Sequence, residues 1–211
     1  MEYPNLKLVL PGDAINTSDE DFTYTINSST YSSILGFLNK SSGILIPINN
    51  YYFPSEGELI IGNITYKTAD YLIISFNDYT GIVPSKESPR EQIRIKSLVR
   101  GKIYKVGDNI EISLNADGCG ILNGGYLINF GAGKLKLLLE IRKDFIERIK
   151  EIFGLEATYG MNGYIWLRGD LLNIAKAFKL LNELDNYYYS PFMINKVIEN
   201  LYVQSERQTA K

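Results

Sequence analysis

The chain has 211 residues, 45% hydrophobic and 22% charged, with a net charge of −2 and a pI of about 5.4, values of an ordinary folded protein. It holds no histidine and one cysteine, Cys119, which excludes an internal disulfide, multi-cysteine zinc sites, histidine-ligated metals and the Ser-His and Cys-His nucleophile pairs. Carboxylate-held metal or a lysine nucleophile would be the remaining routes to catalysis.

In chain order, Leu6 to Leu10 reads as a strand cut by Pro11-Gly12-Asp13. That break rules out a cleavable signal, and no later apolar run reaches the length of a membrane span, so the sequence predicts a soluble intracellular protein. A polar loop covers Asn16 to Asp21. Among further short strands and turns, Phe22 to Ile26 alternates, Tyr31 to Leu38 is mixed, and Gly43 to Ile48 is apolar and β-branched, with Pro47 and Pro54 limiting the strands and favouring edge positions. Residues 1–55 thus form a small N-terminal β domain, too small to hold much core alone, which should pack on a neighbour.

Residues 56–116 carry five strands at regular spacing: Glu58 to Tyr66, Tyr71 to Phe76, Gly81 to Pro84, Ile95 to Lys105 and Asn109 to Leu114. Turn residues separate them, and a polar insert, Ser85 to Arg94, lies between the third and fourth. Five short strands without a clear helix fit a small OB barrel.

Residues 117–211 change texture. A strand at Tyr126 to Phe130 is followed by helical periodicity from Lys134 to Phe153, broken near Arg142 to Asp144. Gly154 is placed to end the second helix. Strands at Leu155 to Tyr159 and Tyr164 to Arg168 follow. Then comes a helix from Leu171 to Leu184 with Asp170 as its cap, and a last helix opened by Pro191 and running to about Val203. Strand, two helices, two strands and a helix is the order of a KH-type α/β unit. The fold class is therefore multidomain, mainly β plus α/β.

A KH domain that grips RNA uses a glycine loop between its first two helices, where phosphates approach the backbone. Here that junction is Ile141-Arg142-Lys143-Asp144-Phe145, without glycine. Gly160-Met161-Asn162-Gly163 instead joins two strands, where Asn-Gly is hairpin chemistry because both residues tolerate positive φ. A turn is expected there rather than a nucleotide cradle. Trp166 suits a buried anchor better than a base-stacking platform.

Charge is uneven. Residues 1–63 hold two cations and seven anions, a net of −5, whereas residues 86–105 hold seven cations and two anions, a net of +5. One region could face a polyanion and the other protein or solvent, or the clusters could be solvated loops. OB barrels hold single strands with a cationic groove and exposed aromatic faces. The candidates for RNA contact are Lys67 and Tyr71 at the first hairpin, and Lys86, Arg90 and Arg94 in the insert. Lys96, Arg100 and Lys102 alternate along the expected fourth strand and so share a face, open to RNA or a protein neighbour. Tyr71 equally suits the barrel core or rim. Arg142 and Lys143 could add weak phosphate contacts. Asp19-Glu20-Asp21 and Asp117 are the visible material for a metal-dependent nuclease, but two-metal chemistry needs carboxylates converging from rigid strands. No catalytic residue, metal site or cofactor is expected.

Several segments together resemble one family. They are Val9 to Asp13, Tyr51 to Ile64 (YYFPSEGELIIGNI), Gly118 to Ile128 (GCGILNGGYLI) and Gly160 to Trp166 (GMNGYIW). In order and spacing they are similar to the cap subunits of the RNA exosome that combine an N-terminal domain, an S-one type OB barrel and a KH domain. The final helix, PFMINKVIENLY, looks nearest to the smaller eukaryotic member, exosome component 3, with the larger cap member as rival. The resemblance implies a non-catalytic subunit that binds single-stranded RNA, stabilises a ring of RNase-PH-like subunits and guides RNA 3′ ends into it for processing and decay. It implies a hetero-oligomer in nucleus, nucleolus and cytoplasm. It also implies that Gly160, Asn162, Gly163 and Trp166 are structural and lie near the barrel–KH junction. The shorter N-terminal region and barrel loops depart from the family. A stand-alone RNA binder is the alternative, against which the acidic pI counts.

Overall fold

The computed structural model of the chain describes residues 5–17, 22–48, 51–88, 93–187 and 190–209, with side chains to residue 200. Arg90 and the acidic run Asp19-Glu20-Asp21 lie outside the described residues.

The N-terminal part is built from short strands with local stops. β1 (Leu6–Val9) ends where Leu10 N–H donates to the Asp13 carboxylate at 2.9 Å and Asp13 N–H returns to Leu10 O. β2 (Thr23–Ile26) and β3 (Ser29–Ser32) form a separate hairpin. Its two turn residues, Asn27 and Ser28, both take positive φ, which matches the strand twist. β4 (Gly36–Asn39) sits between β1 and β5 (Leu45–Pro47), so Pro47 lies on an edge strand. This sheet has little core of its own. Leu6, Phe37 and Ile46 are buried in the same cluster as the C-terminal helices. Each such side chain contributes about 1.5–3 kcal/mol on full burial. The neighbour it packs on is thus the KH unit, and Asn39 Nδ2 also bonds the Glu140 carboxylate on the first helix.

The barrel strands are β6 (Leu59–Lys67), β7 (Tyr71–Phe76), β8 (Tyr79–Pro84), β9 (Leu98–Lys105) and β10 (Ile110–Ser113), with a 3-10 turn at Ser85–Glu87. Their pairing runs β6–β7–β8–β10–β9 and back to β6. β8 and β10 are parallel and the other pairs antiparallel. Ile60, Ile64, Leu72, Ile74, Val83, Val99, Ile103 and Ile112 fill the inside. A two-residue strand, β11 (Gly120–Ile121), lies against β9.

The fourth barrel strand starts three residues later than its apolar pattern suggests. Lys96 takes φ +73, Ser97 N–H donates to Arg94 O, and Arg94 N–H donates to the Ser97 hydroxyl, so residues 94–97 form a turn. Lys96 therefore does not share a strand face with Arg100 and Lys102.

The C-terminal unit runs β12 (Tyr126–Asn129), α1 (Ala132–Ile141), α2 (Phe145–Phe153), β13 (Glu156–Tyr159), β14 (Tyr164–Arg168), α3 (Leu171–Asn186) and α4 (Pro191–Thr209). The antiparallel sheet has the order β12-β14-β13. Gly154 ends α2 in the left-handed region, and the Asp170 carboxylate caps α3 by accepting from Leu172 and Asn173 N–H. α4 continues past Val203 to Thr209. Leu135, Leu138, Phe145, Ile149, Ile165, Leu167, Ala177, Leu181, Ile194 and Ile198 make one core beneath the sheet.

Candidate nucleic-acid interface

Two polar surfaces meet the barrel, and they differ in what their donors and acceptors do. The first is the hairpin of residues 160–163. Gly160 N–H donates to Tyr164 O and Gly163 N–H to Gly160 O, which closes the turn. Gly163 takes φ +91, but Asn162 is not left-handed. The tolerance of Asn for positive φ is thus not what places it here. Its amide is used instead. Ile61 N–H donates to Asn162 Oδ1 at 3.0 Å, and Asn162 Nδ2 donates to Ile61 O at 2.9 Å and Asn77 Oδ1 at 2.8 Å. Asn77 Nδ2 in turn donates to Asn162 O, and Met161 N–H to Leu59 O. One side chain, on a residue 1% exposed, thereby pairs with β6 as a strand residue would.

The two glycines let that approach happen. A Cβ on Gly160 would lie 2.6 Å from Ile61 N and 2.9 Å from Ile60 C, both backbone atoms. On Gly163 it would lie 2.4 Å from Ala132 N at the start of α1. Around the hairpin, Arg100 Nε donates to Tyr159 O and Nη1 to Gly118 O, both at 2.9 Å, with the guanidinium over the Tyr159 ring. Burial lowers its pKa. Arg100 is therefore part of the barrel–KH joint, not of an open groove. Trp166, 5% exposed, donates Nε1–H to Gly124 O at 2.8 Å and is an anchor rather than a platform. On α1, Lys136 pairs with Glu58 at 3.0 Å, and Glu58 accepts from Tyr52 O–H at 2.7 Å. Burial, then the Glu58 charge, raises the Tyr52 pKa, so the phenol stays neutral.

The usual KH clamp position is closed differently. Arg142 Nε donates to Asn195 Oδ1 and Nη2 to Glu199 Oε1, each at 2.9 Å, so two of its donors are spent on α4. Lys143 is exposed beside a cleft of about 410 Å³ walled by Ile44 and Ile46 of the N-terminal part, Leu139 and Tyr159.

The second surface is the outside of the barrel at β6, β7 and β8. Leu72, Ile74 and Phe76 point inward, so Tyr71, Ile73 and Ser75 point outward. Tyr71 is 37% exposed. Lys67 Nζ donates to Ile93 O at 2.8 Å and lines a groove of about 310 Å³ with Thr68, Tyr71, Ser85 and Ser88. Lys86, Arg94 and Lys96 are exposed, and their side chains form no hydrogen bond or ion pair among the described residues. Lys102 is exposed on β9. Lys105, by contrast, pairs with Glu111 at 2.9 Å. Tyr104 O–H also donates to Glu111; burial and this bond push Tyr104 up to about 12, and the two donors lower the Glu111 carboxyl.

Two participants carry little signal in the sequence. Asn77 reads only as a turn residue, and its bond to Asn162 spans 85 positions without a local cue. Tyr66, across the hairpin turn from Tyr71, has a cue in the strand alternation, but a bulge between Ile64 and Tyr66 shifts the register.

No protein-family model matches the chain. It is 26% identical over 196 residues to exosome complex component Rrp4 of Methanosphaera stadtmanae, covering 86% of this chain and 88% of that one. To Rrp4 of Methanobrevibacter smithii it is 25% identical over 189 residues, covering 79% and 61%. To human exosome complex component RRP40 it is 24% identical over 132 residues, covering 56% and 48%. The chain thus spans most of the first relative and under two thirds of the other two. A crystal structure described as an exosome complex RNA-binding protein superposes with a TM-score of 0.60 at 14% identity, covering 76% of this chain and 99% of that one, which shows the shared fold. Relatives under both names lie at similar identity, so the likeness is to an architecture that both carry. The chain resembles the exosome cap subunits built from an N-terminal domain, an S-one type barrel and a KH domain.

Proposed function

We propose that the chain is a non-catalytic RNA-binding cap subunit of an RNA exosome. It would hold an RNase-PH-like ring together and guide single-stranded RNA 3′ ends into it for 3′-to-5′ processing and decay. In a eukaryotic cell this function belongs to nucleus, nucleolus and cytoplasm. The observation that carries the reading is a division of labour. Arg142, at the place of a KH clamp, is bonded to α4, while Lys86, Arg94 and Lys96 beside the barrel are exposed and unspent. These cations, with Arg90 of the same insert, serve as phosphate contacts. Lys67 and Tyr71 line the neighbouring groove. Arg100 leaves the RNA set for the joint.

Affinity purification of the tagged protein from its own cells, followed by mass spectrometry, tests this. Stoichiometric recovery of RNase-PH-like subunits is the expected result. Recovery of ribosomes, or of the bare protein, would overturn the cap role.

A further inference from the structure

The C-terminal sheet has the order β12-β14-β13, so β12 and β13 are its edges. The β13 edge meets the barrel, where Tyr159 O accepts from Arg100 Nε. The β12 edge is open. Phe130 N–H donates to Gly163 O, and the register continues with Ile128 opposite Ile165 and Tyr126 opposite Leu167. Bonded and non-bonded pairs alternate in an antiparallel ladder. Tyr126 and Ile128 therefore turn their N–H and C=O groups to β14, and Leu127 and Asn129 turn theirs outward. No hydrogen bond reaches these outward groups among the described residues. Tyr126 is 54% and Leu127 39% exposed, and Asn129 is exposed as well. Edge strands are ordinarily blunted by proline, charge, a bulge or a covering element. Tyr126-Leu127-Ile128-Asn129 has neither proline nor charge, and its register with β14 is unbroken.

A groove of about 440 Å³ lies beside this edge, with Leu127 and Asn129 on the strand side and Phe178, Asn182 and Asp185 on the α3 side. Phe178 is 46% exposed, and Leu171, two helical turns earlier on the same stripe, is 64% exposed. An extended chain laid along β12 would meet both features. Its backbone would pair with residues 127 and 129, which are spaced as alternate residues of a strand, and every second side chain would point to α3. Charge complementarity decides between kinds of occupant. Among the described residues, the charged ones that line the groove are Lys134 and Asp185, and they pair with each other. A phosphate backbone would find no unmatched cation there. A peptide without net charge, apolar toward Leu171 and Phe178, matches it.

We infer that the β12 edge and the facing stripe of α3 form a docking site for an extended, uncharged and partly apolar segment of a partner protein, which joins the C-terminal sheet as a fourth strand. Main-chain bonds to Leu127 and Asn129 supply affinity, and the α3 wall supplies selectivity. The inference goes beyond the RNA-guiding role and does not depend on it.

The test uses the full chain and a displayed library of random linear peptides, from which the strongest binder is resynthesised as the probe. The probe should protect the Leu127 and Asn129 amides from hydrogen exchange. Methylating its backbone nitrogens at alternate positions should weaken binding roughly 10-fold in one phase and little in the other. Phe178→Ala should weaken it about 5-fold. Asn129→Pro removes an outward N–H and leaves the pairing with β14 in place, so it should act like the methylation. Should that variant fail to fold, exchange and methylation on the wild type still decide. A library that yields no binder would overturn the site, as would a probe that leaves both amides unprotected and ignores the methylation phase. Dimerisation of the chain that Asn129→Pro abolishes would make a second copy the occupant and overturn the peptide site. Weaker RNA binding by the same, folded variant would overturn it in favour of RNA.

Discussion

The hairpin of residues 160–163 and the cations Lys86, Arg94 and Lys96 both bring polar groups to the barrel, under opposite conditions. At the hairpin the polar groups of the Asn162 side chain meet partners in a dry contact. At Lys86, Arg94 and Lys96 the ammonium and guanidinium groups are exposed and make no hydrogen bond or ion pair among the described residues. A satisfied buried amide is costly to disturb, because its partners stay behind desolvated; a solvated cation is cheap to change and informative only when a polyanion arrives. Asn162 is therefore to be judged by stability and Lys86 by binding. Arg100 shows that residue type alone does not decide: it is an arginine like Arg94, yet two of its donors end on carbonyls of the joint.

This contrast can be broken at either end. The largest effect is expected for Gly160→Ala, whose Cβ would collide with the backbone of Ile60 and Ile61. Displacing the hairpin should cost about 3 kcal/mol or more, read from urea unfolding of the whole chain. An unchanged midpoint would mean that the hairpin is not seated on β6. Asn162→Ala should cost about 2–4 kcal/mol, because Ile61 N–H and C=O are left unpaired inside the joint. Asn162→Asp should rescue little, since a carboxylate cannot donate to Ile61 O and Asn77 Oδ1. Next comes Trp166→Phe, which keeps most of the ring but strands Gly124 O; about 1–2 kcal/mol is expected in the same assay. Charge reversal at Lys86, Arg90 and Arg94 sharpens the comparison from the other side. Stability should move by no more than about 0.5 kcal/mol. RNA affinity should fall, and the salt dependence should flatten by about 0.7 in slope for each phosphate that is no longer neutralised.

Much of the fold is legible in the sequence because it is written in local chemistry. Gly154 and Asp170 mark helix ends through φ and through a carboxylate near free N–H groups, and those signals need no distant partner. The barrel strands are legible from alternation. What local pattern misses is decided by contacts remote in sequence, or by a turn that apolar residues disguise. Ile95 looks like the start of a strand, but the Ser97 hydroxyl and the positive φ of Lys96 put it inside a turn. Asn-Gly signals a hairpin and no more: the partner of Asn162 lies 101 positions away. Arg100 looks like a groove residue for the same reason, since the carbonyls that hold it belong to residues 118 and 159. That the N-terminal sheet needs a neighbour follows from its size, but the choice of the KH unit comes from Leu6, Phe37 and Ile46 meeting the helices.

The most direct test of this division is the affinity of the intact protein for a short single-stranded RNA at low salt, measured for the charge-reversed variant at Lys86, Arg90 and Arg94 against the wild type. Weaker binding with an unchanged unfolding midpoint is the result expected if the barrel segment holds RNA and the hairpin only joins domains. Equal binding by the two proteins would contradict that account.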